Sequence, residues 1–296
     1  MKTFLDCMPC FVRQALDAAR RASADPAVHE RVVRDVLGWA HAMDMDGPPP
    51  LLGRRIQARL RQVLDDDDPY QAVKAEQNRM AMVLLPDLRA RLAADPDPFG
   101  LALRLAIAGN VIDLGASASV SPDDLRKAVD QALRQPVCGD PGAFRGAVEA
   151  AQDILYVADN AGEIVFDRLL IERLPPGRVT LAVRGRPVLN DATRQDARVA
   201  GLDAIVPIVD SGSDVPGTWL PACSDDFVRR FAAADLVIAK GQGNYETLSD
   251  FAAPVFFLFR AKCPVIAEHA GVPIGAHVVV RGTGARPLRQ GASPQS

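Results

Sequence analysis

The 296-residue sequence predicts an α/β protein, a mostly parallel sheet covered by helices and preceded by a helical first half. Two observations carry that prediction. From about Asp153, short β-branched runs alternate with helical segments, the mark of strand–helix–strand units. Before that point apolar residues recur at helical spacing.

Taken in order, Phe11, Ala15, Leu16 and Ala19 mark one helix, and Val28, Val32, Val36, Leu37 and Ala40 a second. Asp44 to Pro50 reads as a loop, because consecutive prolines cannot sit inside a helix. Leu51 to Leu64 resumes the pattern with a basic outer face and stops at Asp65-Asp66-Asp67-Asp68-Pro69. Further helices are predicted over Tyr70–Leu92, Phe99–Ile112 and Pro122–Leu133. The strand-like runs are Ile154–Ala158, Val179–Val183, Ala204–Val209, Leu236–Ala239, Val255–Phe259 and Ala276–Val280. The expected organisation is a helical domain over residues 1–150, an α/β domain over 151–285 and a flexible tail over 286–296.

With 48% apolar and 24% charged residues, the composition is that of a soluble globular protein. A net charge of −3 gives no reason to expect nucleic-acid or acidic-membrane partners, so any phosphate affinity must be local. No apolar run is long enough to span a membrane, and Met1-Lys2-Thr3-Phe4 leads into polar sequence rather than a signal-peptide core. A cytoplasmic location is expected. Five cysteines spread along the chain do not make a secreted disulfide framework. The sequence leaves the oligomeric state open.

Three segments follow strand-like runs and carry oxygen or phosphate chemistry: Asp159-Asn160-Ala161-Gly162-Glu163, Asn190-Asp191-Ala192-Thr193 and Lys240-Gly241-Gln242-Gly243-Asn244. In an open α/β sheet, ligands bind at the carboxyl ends of the strands. Asp159, Asn160 and Asp191 offer only oxygen donors, which suits hard or borderline cations such as Mg²⁺ and Mn²⁺. Singly, an Asp or Asn at a strand end is more often a helix cap. Three such segments at one edge favour a site. Lys240 to Asn244 can expose backbone N–H groups at a helix start, with Lys240 adding a point charge, and Glu246 can serve as a dipole partner. Glu163, Ser213, Lys240 and Asn244 are the substrate contacts expected there, although an ordinary turn is the commoner reading of Ser211-Gly212-Ser213-Asp214. Of Arg260 and Lys262, placed by alternation on one face, Lys262 is the better phosphate candidate.

Cys7-Met8-Pro9-Cys10 opens the first helix, where the helix N-terminus lowers a thiol pKa. A structural zinc needs four ligands, and only scattered Cys138, Cys223 and Cys263 remain, so a packing role is expected for the pair. The four histidines lie outside the three segments, which disfavours a His-rich zinc hydrolase. There is no Gly-x-Ser-x-Gly elbow, Walker A loop or full dinucleotide fingerprint.

The ordered set of segments resembles the metal-dependent damage-control phosphatase family, long catalogued as an uncharacterised domain. The resemblance runs from Leu5-Asp6-Cys7-Met8-Pro9-Cys10-Phe11 through Asp68-Pro69-Tyr70, Lys74, Asn78 and Gly109-Asn110-Val111-Ile112-Asp113. It continues through the three segments above to Arg260-Ala261-Lys262-Cys263 and about Val280. The cysteine pair resembles the branch found mainly in archaea and bacteria. The resemblance implies a helical part packed on a Rossmann-like three-layer part, with the metal in the cleft. It implies Asp159, Asn160 and Asp191 as metal ligands, Lys262 near the substrate phosphate, and Asn110 and Asp113 lining the cleft from the helical side. The implied activity is hydrolysis of small phosphate esters, sugar phosphates or damaged metabolites, with Mn²⁺, Co²⁺, Ni²⁺ or Mg²⁺. Asp159 and Lys262 are the expected catalytic residues, with the attacking group either water activated by the cation or Asp159 itself. Arg260-Ala261-Lys262 departs from the longer Arg-Thr-x-Lys string of the sugar-phosphate branch, so substrate identity does not carry over. Two competing readings are an S-adenosylmethionine-dependent carboxyl methyltransferase, disfavoured by the missing glycine-rich turn, and a non-catalytic metabolite- or metal-binding module.

Overall fold

In a computed structural model, residues 1–109 and 122–285 are described. Asn110, Asp113 and residues 286–296 lie outside the described residues.

Strands covered on both faces read as unbroken apolar runs rather than as alternation. The two central strands show this, β2 (Ile154–Val157) and β5 (Leu236–Lys240), in which every residue is buried. With β1 (Val137–Gly139), β3 (Val179–Val183), β4 (Ile208–Asp210), β6 (Val255–Arg260) and β7 (His277–Arg281) they form one sheet in the order β1-β7-β6-β5-β2-β3-β4. Every pairing is parallel except β6 with β7. The run Ala204–Val209 pairs only from Ile208, because Ile205 and Val206 turn back onto the Leu202 carbonyl. β1 was not legible in advance, since three residues show no period.

Alternate residues of each strand feed two cores. Ile154, Tyr156, Leu181 and Ile238 face α4 (Gln71–Ala94), α5 (Pro98–Ala108), α6 (Pro122–Leu133), α7 (Pro141–Ala150), α8 (Glu163–Ile171) and α9 (Arg194–Val199). Leu155, Val157, Val237 and Phe257 face α10 (Asp225–Ala233), α11 (Gly241–Leu248) and α12 (Pro264–Ala270). The result is a three-layer α/β architecture. A third core, including Phe11, Val32, Val36, Ile56 and Leu60, joins α1 (Cys7–Ala22), α2 (Pro26–Ala42) and α3 (Pro50–Leu64). The expected boundary near residue 150 therefore falls inside a continuous core. Among the described residues only α1–α3 have a core of their own, and α4–α7 are part of a layer on the sheet. Helical periodicity reports which face of a helix is apolar, not what covers it.

The chain runs from β2 outward to β3 and β4, then crosses back to place β5 on the other side of β2. The loops leaving β2 and β5 diverge there, which opens a crevice at the carboxyl ends of the strands. The amino terminus is drawn to this end, its ammonium donating to the Glu246 carbonyl at 2.8 Å. No helix among the described residues is long and apolar enough to cross a membrane.

His277 is buried on β7, and burial with nearby Arg260 and Arg104 pushes its pKa down to about 4. The unfolded chain takes up that proton near pH 6.5, so between these values the unfolded state binds more protons and stability falls as pH falls. The urea midpoint is expected to drop between pH 7 and pH 5, with His277 contributing about 2 kcal/mol. Equal pH slopes for His277→Asn and the parent would reject this.

Candidate active site

Backbone pairing, not side-chain attraction, brings the oxygen donors together. Past β2, the Asp159 carbonyl accepts from Ala192 N–H at 2.7 Å, and Ala161 N–H donates to the Asn190 carbonyl at 2.8 Å. Asn160 and Asp191 face one another in an isolated antiparallel bridge. Leu189 enters this loop at φ 48°, a left-handed conformation uncommon for a branched side chain. Helix α4 braces both loops. Asn78 accepts from Gly162 N–H at 2.7 Å and donates to Asp196 at 2.8 Å, and Asn190 donates to Gln77 at 3.2 Å. Asp196 closes the capping box of α9 with Thr193, and Lys74 sits 2.6 Å from Asp68 and 4.0 Å from Asp196. The Asp68…Lys74…Asn78 segment is thus a clamp on the site rather than part of its lining.

Asp159, Asn160 and Asp191 are 8%, 7% and 3% exposed, so their charge is poorly shared with water. Burial pushes the Asp159 carboxyl well above the ordinary range, Asp191 and Glu163 push it further, and Arg184 and Lys262 pull against them. A buried pair of carboxylates with incomplete compensation is a place where a cation is stabilised.

The third strand end approaches from β5. Gly241 opens α11 at φ 79°, and a Cβ at that position would overlap the Asp159 carboxylate. Only glycine satisfies both the backbone and the close approach. A cleft of about 410 Å³ lies over these residues, lined by Asp159, Asn160, Asp191, Gln242, Glu246 and Lys262.

Several expected contacts are placed differently. Lys240 does not reach the cleft: it is fully buried, its Nζ 2.6 Å from Glu163, 2.6 Å from Asp167 and 2.7 Å from the Ala106 carbonyl. Alternation explains this, because Lys240 shares the face of Leu236 and Ile238 and points at α8. Glu163 is buried in the same cluster, and neither residue is part of the cleft lining. Burial lifts Asp167 to about 6, and the Tyr156 hydroxyl donates to it at 2.8 Å. Asn244, fully buried, donates to the carbonyls of Lys240 (2.6 Å) and Ala158 (3.2 Å) and accepts from Thr218, a brace rather than a contact. Ser213 is also buried, its Oγ accepting from Val215 N–H at 3.1 Å. Burial raises the neighbouring Asp214 carboxyl, but Arg61 and Arg54, at 2.7 and 2.6 Å, outweigh it and hold the pKa low.

Lys262 lies beyond the end of β6, exposed, and its N–H donates to Gln242 Oε1 at 3.0 Å. It lines the cleft with Asp159. Cys7, Cys10 and Cys263 line the same cleft, and burial raises the Cys7 and Cys10 thiols, against the lowering expected at a helix start. Burial also raises Glu246 to about 7. Among the described residues no three Cys, His, Asp or Glu side chains are gathered to hold a metal. Two carboxylates and a carboxamide fall outside that description.

Arg184 was missed. It follows β3 directly and is fully buried, its Nε donating to Asp191 Oδ2 at 2.6 Å and its terminal nitrogens reaching Thr218 (3.1 Å), Asn244 (3.4 Å) and Asp159 (3.9 Å). The available signal was a charged residue immediately after an apolar parallel strand.

The chain matches the damage-control phosphatase ARMT1-like domain over residues 3–278 and belongs to that family. It is 34% identical to the damage-control phosphatase PH1575 of Pyrococcus horikoshii, over 95% of this chain and 98% of that protein. It is 33% identical to the uncharacterized protein MJ0202 of Methanocaldococcus jannaschii, over 93% and 94%. The crystal structure of PH1575, a DUF89 family protein, superposes with a TM-score of 0.88, covering 96% of this chain and 100% of that one.

Replacing Lys240 by Met strands Glu163 and Asp167 without a counter-charge. Lys240→Met is expected to cost roughly 3–5 kcal/mol in urea unfolding. Unchanged stability with weakened substrate binding would return Lys240 to the cleft.

Proposed function

We propose that the protein is a metal-dependent phosphomonoester hydrolase acting on small phosphorylated metabolites. The observation that carries this is the pair of buried carboxylates, Asp159 and Asp191, stitched together with Asn160 at the switch point of the sheet. The donor set fits a hard or borderline divalent cation, because all three side chains present oxygen and the carboxylates repel each other without one. Asp159, Asn160 and Asp191 would hold it, with Mn²⁺, Co²⁺, Ni²⁺ and Mg²⁺ the metals to test. When bound, the cation supplies Lewis-acid polarisation of the phosphoryl group.

The chain's own residues supply the rest. Lys262, exposed at the rim and close enough to lower the Asp159 pKa, offers charge to the substrate phosphate. Gly241 lets the backbone at the start of α11 lie against Asp159, and the first N–H groups of a helix favour an anion. Asp159 is assigned to ligation and water to the attack. The names of the relatives PH1575 and its Archaeoglobus fulgidus counterpart, both damage-control phosphatases, support the reading. We place the chain in the cysteine-pair branch on the strength of Cys7 and Cys10.

Phosphate release from a panel of small phosphomonoesters is expected with these metals, to stop in EDTA, and to fall to background in Asp159→Ala and Asp191→Ala with the fold retained by circular dichroism. Methyl transfer from S-adenosylmethionine with no phosphate released would replace the reading by a methyltransferase. Lys262→Ala is expected to raise KM more than it lowers kcat. The Cys7→Ser/Cys10→Ser variant is expected to keep turnover under reducing conditions with saturating Mn²⁺. A loss as large as that of Asp191→Ala would put the thiols among the catalytic groups.

A further inference from the structure

We propose that Arg184 is a positioning residue that holds the Asp191 carboxylate in its binding orientation and thereby sets the affinity of the cleft for its cation. The inference rests on the metal-site reading above.

A fully buried guanidinium is retained only when its donors are satisfied. Those of Arg184 are spread over three separate pieces of chain. Nε meets Asp191 Oδ2 at 2.6 Å, one terminal nitrogen meets Thr218 Oγ1 at 3.1 Å, and the other meets Asn244 Oδ1 at 3.4 Å and lies 3.9 Å from Asp159. The two neutral partners are themselves fixed. Thr218 Oγ1 donates to Asn244 at 2.7 Å, and the Thr218 N–H donates to Thr247 Oγ1 at 2.9 Å. Asn244 is tied to the last residue of β5 and to the residue before Asp159. The guanidinium therefore plugs into a rigid frame and transmits that rigidity to one oxygen of Asp191.

Two effects of Arg184 on a bound cation oppose each other. Its positive charge repels the cation, and its hydrogen bond preorganises the ligand. If charge dominated, removing it would tighten binding. The short bond to Asp191 already makes Arg184 half of an ion pair, which blunts its field, while the neutral groups of the frame are engaged with Arg184 and with each other. Positioning should therefore win. Lysine keeps the charge but lacks the planar fork, so it cannot hold Asp191, Thr218 and Asn244 together.

The test is calorimetric titration of Mn²⁺ into the metal-free protein and its Arg184→Lys, Arg184→Gln and Thr218→Val variants, each checked by circular dichroism. Both Arg184 variants are expected to bind Mn²⁺ about 10- to 100-fold more weakly, with lysine giving no rescue. Thr218→Val leaves every charge in place and is expected to weaken binding several-fold; it decides the matter if the arginine variants do not fold. Tighter binding in Arg184→Gln would make Arg184 a counter-charge only and overturn the proposal. So would parent-like affinity in Arg184→Lys or, failing that variant, in Thr218→Val. A parent protein that binds no Mn²⁺ would overturn the metal site as well, whereas a parent that binds alongside unaffected variants would overturn this inference alone.

Discussion

Two carboxylates held side by side away from water are the constraint on which the rest of the site depends. Left to themselves Asp159 and Asp191 would separate or take up protons. They stay together because their loops are paired through the backbone at Ala161, Asn190 and Ala192, a linkage indifferent to the charge the side chains carry. Asn78 and Gln77 on α4 then brace those loops from the helical layer. Arg184, 2.6 Å from Asp191 and 3.9 Å from Asp159, relieves part of the repulsion, and the fold holds the rest.

Beneath the cleft lies a second concentration of charge with a different purpose. Lys240 joins Glu163 and Asp167 in a fully buried cluster, while Gly241, its neighbour in sequence, rests against Asp159. One peptide link separates the structural face of the strand end from the chemical one. The cluster is costly to break at Lys240, whose removal leaves two buried carboxylates without their shared cation. It fixes where β5 ends and therefore where α11 begins.

The α1–α3 unit forms the opposite wall. Arg54 and Arg61 on α3 converge on the buried Asp214 carboxylate, anchoring the helices to the loop after β4. Exposed ion pairs contribute little, but this one centres on a side chain only 9% accessible and is bound to matter more. The same docking carries Cys7 and Cys10 to the cleft rim, although Cys7 packs against the core of α1–α3, apart from Asp159, Asn160 and Asp191.

The sequence by itself determined every strand of the described sheet but β1, their order of appearance and the oxygen-rich character of their ends. Those properties are local: a run such as Ile154–Val157 declares itself buried, and Asp159-Asn160 can follow it only at its carboxyl end. Tertiary structure alone decided which of these polar residues share a cavity. Lys240 and Lys262 look alike as lysines after apolar strands, yet one is sealed against α8 and the other stands at the rim. The difference is where the strand stops and which helix covers its last residue. The role of Arg184 was hidden for the same reason, since its partners Thr218 and Asn244 lie 34 and 60 residues away. A side chain's role here depends on the far ends of its hydrogen bonds, and those are set only when the layers close.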